Sequence, residues 1–263
     1  MIHGEDIESI NTKLKDFILE IRMNRPEKKN ALIPPMYLRM AELIQAAGES
    51  PDVRVILIKG SQECFTSGND VSTFGSTTDG ASTDDDVAAV KFLKAIAACE
   101  LPVVAAVNGH AVGVGTTMLL HCDFVIAGEG ARFKTPFVNL GVCPEAGSSY
   151  TMPMRMGYSR AAEMLLLGES LSAEQAVAWG LANSSHPVDQ FEAVAHDIAK
   201  RLSKLPPTSV QATKRLMRAP LMQVIPEAMS EENRAFSSCM ETPEFTEAIT
   251  AFIEGREADF SRC

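Results

Sequence analysis

Three short glycine-bearing turns each follow an apolar run in this chain. They are Phe65-Thr66-Ser67-Gly68-Asn69-Asp70, Asn108-Gly109-His110-Ala111-Val112-Gly113-Val114-Gly115 and Leu140-Gly141-Val142-Cys143-Pro144-Glu145-Ala146-Gly147. Taken singly, a glycine after a strand marks a turn and nothing more. The second turn fails as a dinucleotide fingerprint, because Met118 stands where the third glycine is needed. None of the three has the pattern of an NTPase phosphate loop or a nucleophile elbow. The third carries an acid, Glu145, which on its own reads either as a solvent-facing turn residue or as a proton-transfer group. The five histidines and six cysteines are dispersed without metal-ligand spacing, His121-Cys122 included, so no metal site is expected. Cys64, Cys99, Cys122, Cys143, Cys239 and Cys263 read as reduced thiols, mostly packed.

Elements of two kinds must position these turns. Residues 17–23, 53–59, 103–107 and 123–127 read as strands, the second of them β-branched and buried. Helices are expected over 34–48, with proline in the first turn and glycine at the end, near 87–99, and over 113–121. That alternation predicts an α/β core with largely parallel pairing. From about residue 160 the pattern turns helical, over 161–167, 172–179, 190–205, 209–217, 227–240 and 243–254, with one strand-like stretch at 182–188. Ser172 followed by Gln175 is a capping box. We divide the chain into an α/β core over 1–200 and a helical region over 201–263 that packs on that core or on a neighbouring subunit.

With 263 residues, 46% hydrophobic, the chain can bury a sizeable core. A net charge of −10 fits a solvated acidic surface and argues against nucleic acid as a partner. The polar, acid-bearing residues 1–16 predict neither a signal nor a transit peptide, and Ser261-Arg262-Cys263 does not match the peroxisomal ending. No apolar run approaches the roughly 18 residues that span a bilayer, so no membrane partner is expected and a cytoplasmic location is. Residues 70–86 are rich in Ser, Thr, Gly and Asp and predict a mobile loop, read as a substrate-side lid in preference to an inert insertion.

Together and in this order, the motifs resemble the crotonase superfamily of enoyl-CoA hydratases and isomerases. The likeness runs from Asn24-Arg25-Pro26-Glu27-Lys28-Lys29-Asn30-Ala31-Leu32, through Ser67-Gly68-Asn69-Asp70 and the second turn with Cys122-Asp123 behind it, to Phe252-x-x-x-Arg256. The resemblance implies a crotonase-like spiral of ββα turns with a helical trimerisation region, hence a homotrimer or dimer of trimers. It also implies an acyl-CoA thioester as substrate and no separate cofactor. Two backbone amides, mapped onto Ser67 and Val114, would form an oxyanion hole for the thioester oxygen. Gly68, Gly113 and Gly115 would let the backbone approach the ligand closely. The stretch Ser67, Gly68, Asn69, Asp70 and Val71 would pass the coenzyme. Lys28 or Lys29 would meet its phosphates, unless both are simply solvated surface lysines.

Departures from the family pattern bear on the reaction. A hydratase holds water between two glutamates; here those positions carry Thr117 and Phe137. The surroundings of Glu145, Thr135-Pro136-Phe137 and Pro144-Glu145-x-x-Ser148-Ser149-Tyr150, resemble the Δ3,Δ2-enoyl-CoA isomerases of the peroxisomal type and their bacterial relatives. That branch uses one glutamate at this place, which makes Glu145 the expected catalytic residue beside an apolar wall containing Phe137. Such a wall would raise the carboxyl pKa by desolvation. The competing expectations are a hydratase, or another crotonase-type activity, and a non-catalytic acyl-CoA-binding protein.

Overall fold

Two antiparallel strands come first in a computed structural model that describes residues 7–70 and 84–263. Strands β1 (Ile10–Lys15) and β2 (Ile18–Met23) pair through a turn in which Asp16 and Phe17 both have positive φ, the geometry of a tight two-residue hairpin. Strand β2 then runs parallel to β3 (Val55–Lys59), which continues to β5 (Val103–Val107), β7 (Phe124–Gly128) and β10 (Ser184–His186). Strands β3 and β5 are near-continuous apolar runs because both faces of this sheet are covered. Helix α1 (Pro34–Glu49) and α2 (Asp84–Ala98) lie over one face in the larger apolar cluster. Helix α7 (Phe191–Ser203) closes the other, placing Phe191, Ala195 and Ala199 on Ile18, Val55 and Val104.

A second, smaller sheet is built from β4 (Cys64–Thr66), β6 (His110–Val112), β8 (Arg132–Lys134) and β9 (Ser170–Ser172). Each pass of the chain places one strand in the large sheet and the next in the small one: β3 then β4, β5 then β6, β7 then β8. Helices return the first two passes, α2 after β4 and α3 (Val114–Thr117) after β6. This is the expected ββα spiral. The small sheet was not expected as such. Its strands are three residues long and overlap the glycine turns, too short for an alternating pattern to show.

Helices α4 (Ser148–Met156), α5 (Tyr158–Leu165) and α6 (Ala173–Ala178) follow, with both hydrogen bonds of the Ser172/Gln175 capping box formed. The helices expected over 209–217 and 227–240 are one continuous helix, α8 (Pro207–Met240), with Pro220 and Pro226 inside it. An interior proline removes one backbone hydrogen bond and favours a break. Here buried residues on both sides, Lys214 before the prolines and Met229 and Glu232 after them, anchor the continuous helix to the core. Helix α9 (Pro243–Glu254) is followed only by a short 3-10 turn, Phe260–Arg262. No described helix is long and apolar enough to cross a membrane. The loop expected over 70–86 lies largely outside the described residues.

Candidate active site

The first turn is held by the Asn24–Leu32 strap. Arg25 donates from Nη1 to Asp70 Oδ2 at 2.6 Å and to the Ala31 carbonyl at 3.1 Å. Asn30, fully buried with φ +53°, donates to the Cys64 and Phe65 carbonyls, while its own carbonyl accepts from Thr66 Oγ1 at 2.6 Å. Leu32 bridges the turn like a strand: its N–H donates to the Gly68 carbonyl, and its carbonyl accepts from the Asp70 N–H.

This bonding corrects the oxyanion assignment. The Ser67 N–H donates to the Lys29 carbonyl at 3.0 Å and is therefore engaged. The Gly68 N–H donates to Thr66 Oγ1 at 3.1 Å. Between two residues bonded to Leu32, Asn69 must aim its own N–H the opposite way, as alternate residues of a parallel bridge do. Among the described residues no acceptor is assigned to it. Its side chain is pinned separately, with Tyr37 Oη donating to Asn69 Oδ1. Sequence spacing does not tell which of four consecutive amides the strap engages.

In the second turn Gly113 has φ +54° and ψ −119°, a combination closed to other residues, and its N–H donates to the Lys134 carbonyl. The next amide, Val114, starts α3, where backbone donors lack helical partners, and among the described residues no acceptor is assigned to it. Thr116 ties the turn down, donating to the Ala111 carbonyl at 2.5 Å. The two turns approach closely. A Cβ on Gly68 would lie 2.8 Å from the Val112 carbonyl oxygen, and one on Gly115 would lie 2.5 Å from Thr66 Cγ2.

The third turn carries Glu145. After it, Ala146 and Gly147 are both left-handed, with φ +63° and +70°. His121 Nε2 meets the Ala146 carbonyl at 2.9 Å, and Ser148 Oγ donates to the Glu145 carbonyl. Thr117 Oγ1 donates to Glu145 Oε1 at 3.3 Å. His121 is fully enclosed. Burial, helped by the neighbouring Arg218 charge, lowers its pKa to about 4, so its imidazole is neutral.

All three turns open into one cavity of about 560 Å³. Of the expected site residues, Lys28, Ser67, Gly68, Asn69, Asp70, Gly113, Val114, Phe137 and Glu145 line it. Val71 lies outside the described residues. Phe137 is 6% exposed and forms an apolar wall with Leu140 and Val142. Phe245 and Phe252 of α9 close another side, so the chain's last helix roofs its own cavity. Lys134 and Arg256 also reach it, unforeseen as lining groups. Two carboxylates face this space among the described residues, and Asp70 is paired with Arg25. Thr117, which is buried, stands beside the other, Glu145.

The family model described as enoyl-CoA hydratase/isomerase matches residues 13–262. The chain is 32% identical over 243 residues to the 2,3-dehydroadipyl-CoA hydratase of Escherichia coli K12, covering 92% of this chain and 94% of that one. It is 36% identical over 239 residues to enoyl-CoA delta isomerase 2 of Rattus norvegicus, covering 90% of this chain and 61% of that longer protein. Among solved structures, Pseudomonas aeruginosa OdaA superposes with a TM-score of 0.89 at 44% identity, covering 94% and 99% of the two chains.

Proposed function

The chain belongs to the enoyl-CoA hydratase/isomerase family, and within it we propose a Δ3,Δ2-enoyl-CoA isomerase that uses Glu145 as its single proton carrier. It is a crotonase-type acyl-CoA enzyme. One observation carries the finer reading: Glu145 faces the cavity between Thr117 and Phe137, where addition of water needs two carboxylates and bond migration needs one.

In the proposed reaction the Glu145 carboxylate takes a proton from C2 of a 3-enoyl thioester. The C–H electron pair passes into the thioester, giving a dienolate whose charge gathers on the carbonyl oxygen. The N–H groups of Asn69 and Val114 receive that oxygen. Backbone donors suit the task because they are fixed and uncharged, and one such donor typically contributes about 3 kcal/mol to the transition state. The protonated Glu145 then returns its proton to C4 as the C2–C3 double bond forms and the carbonyl is restored. The thioester itself is the electron sink, so the scheme uses no separate cofactor. Phe137, Leu140 and Val142 keep water from the reacting carbons. Assays of 3-enoyl-CoA and trans-2-enoyl-CoA side by side test the reading. Isomerisation well above hydration is expected, and hydration faster than isomerisation overturns it.

A further inference from the structure

The geometry points to Glu232, on α8, as the residue that positions Glu145. The inference rests on the single-glutamate reading above. Glu232 is 5% exposed, and its carboxylate accepts three hydrogen bonds. The Gly147 N–H reaches Oε2 at 2.5 Å, and the Ser149 N–H and hydroxyl reach Oε1 at 2.8 and 2.6 Å. On the other side of Glu145, Cys143 Sγ donates to the Glu232 backbone carbonyl at 3.6 Å. Residues 143, 147 and 149 thus meet one residue of a distant helix, and Glu145 lies between the contact points.

Two further features make the clasp specific. Ala146 and Gly147 are both left-handed, so the loop is not a conformation the chain adopts by default. The Gly147 and Ser149 amides also lie at the N-terminus of α4, where backbone N–H groups lack helical partners and a carboxylate is the favoured acceptor. No salt-bridge partner is assigned to Glu232 among the described residues, and burial pushes its pKa up while the three donors pull it down. A buried acid without a cation is costly to keep, and the loop it organises carries the base.

Misplacing a base by about 1 Å costs up to roughly 100-fold in rate. Replacing Glu232 with Gln leaves one acceptor oxygen and sets an NH2 group against N–H donors. Ser149→Ala removes a single bond and no charge. We expect kcat for 3-enoyl-CoA to fall about 30-fold in Glu232→Gln and about threefold in Ser149→Ala, with KM changed less than about threefold, on that scale of misplacement. A second readout separates positioning from general damage. Substrate deuterated at C2 should deliver part of its label to C4 in wild type, and less in both variants, because a displaced carboxyl exchanges with solvent before it reprotonates. If Glu232→Gln does not fold, the Ser149→Ala label fraction decides. Variants with wild-type kcat and wild-type label transfer overturn the inference, as does a Ser149→Ala label fraction equal to wild type where Glu232→Gln cannot be made. Wild type that does not isomerise 3-enoyl-CoA overturns the parent reading instead.

Discussion

Thr117 Oγ1 stands 3.3 Å from Glu145 Oε1, a long hydrogen bond from a buried hydroxyl to the carboxylate that faces the cavity. A hydroxyl here orients one carboxylate oxygen and cannot hold a catalytic proton near neutral pH. Glu145→Gln is therefore expected to lower kcat by about 1,000-fold, the range of a general base, while Thr117→Ala lowers it less than about threefold, as loss of one long bond implies. Steady-state assays with 3-enoyl-CoA check both.

Gly113 gives a sharper test of the second turn. Nothing lies within 4 Å of a Cβ added there, so Gly113→Ala meets no clash and acts through its positive φ alone. This conformation lies outside the left-handed helical region, so the substitution should cost up to about 3 kcal/mol of backbone strain and swing the Val114 N–H. Activity is expected to fall more than about 30-fold, since loss of one oxyanion donor costs 100-fold or more. Thermal unfolding and kcat measured on the same sample separate the two effects.

The exposed apolar residues of the helical half bear on assembly. Leu216, Met217 and Tyr158 are each 75% exposed, and Leu166 and Leu167 more than half. Apolar exposure of this kind is what the expected assembly would cover. A homotrimer or dimer of trimers is expected by light scattering at micromolar concentration, and Leu216→Glu with Met217→Glu should shift it toward the monomer. A wild-type monomer excludes it.

His121 makes stability depend on pH. Its folded-state pKa, about 4, lies below the ordinary 6.5, so the unfolded chain takes up the proton first. Stability contributed by the neutral ring is present above about 6.5 and is lost as pH falls toward 4. Glu232, raised by burial, acts in the opposite sense over its own acid window. His121→Gln keeps a side-chain donor for the Ala146 carbonyl and removes the titration. Its denaturation midpoint should vary less between pH 6.5 and 4 than that of wild type.

Much of this was legible in the residues. Strands β3, β5 and β7 announce themselves as buried β-branched runs, and α9 has its expected bounds. Glu145 and Val114 fall where the motifs place them, in the cavity. Four things were not legible, each for a physical reason. Three-residue strands carry no periodicity. Pro220 and Pro226 suggest a break that tertiary anchors override. Engagement of the Ser67 amide depends on which carbonyl a neighbouring strap offers, and Lys29 offers its own. Glu232 is a helical glutamate 87 positions from Glu145, indistinguishable by local pattern from its exposed neighbour Glu231.

Ala146 sets stability against activity. It is the one non-glycine in a left-handed pair, with its methyl buried at 2% exposure. Alanine in that conformation is about 1–2 kcal/mol worse than glycine, and its buried methyl returns about 0.8 kcal/mol, so Ala146→Gly is a change the fold tolerates. Glycine, however, widens the conformations available to the peptide that carries the base, and a tolerated change would leave a looser Glu145. The alanine is then a setting that turnover, not endurance, would hold in place, and selection for thermal robustness alone would not preserve it.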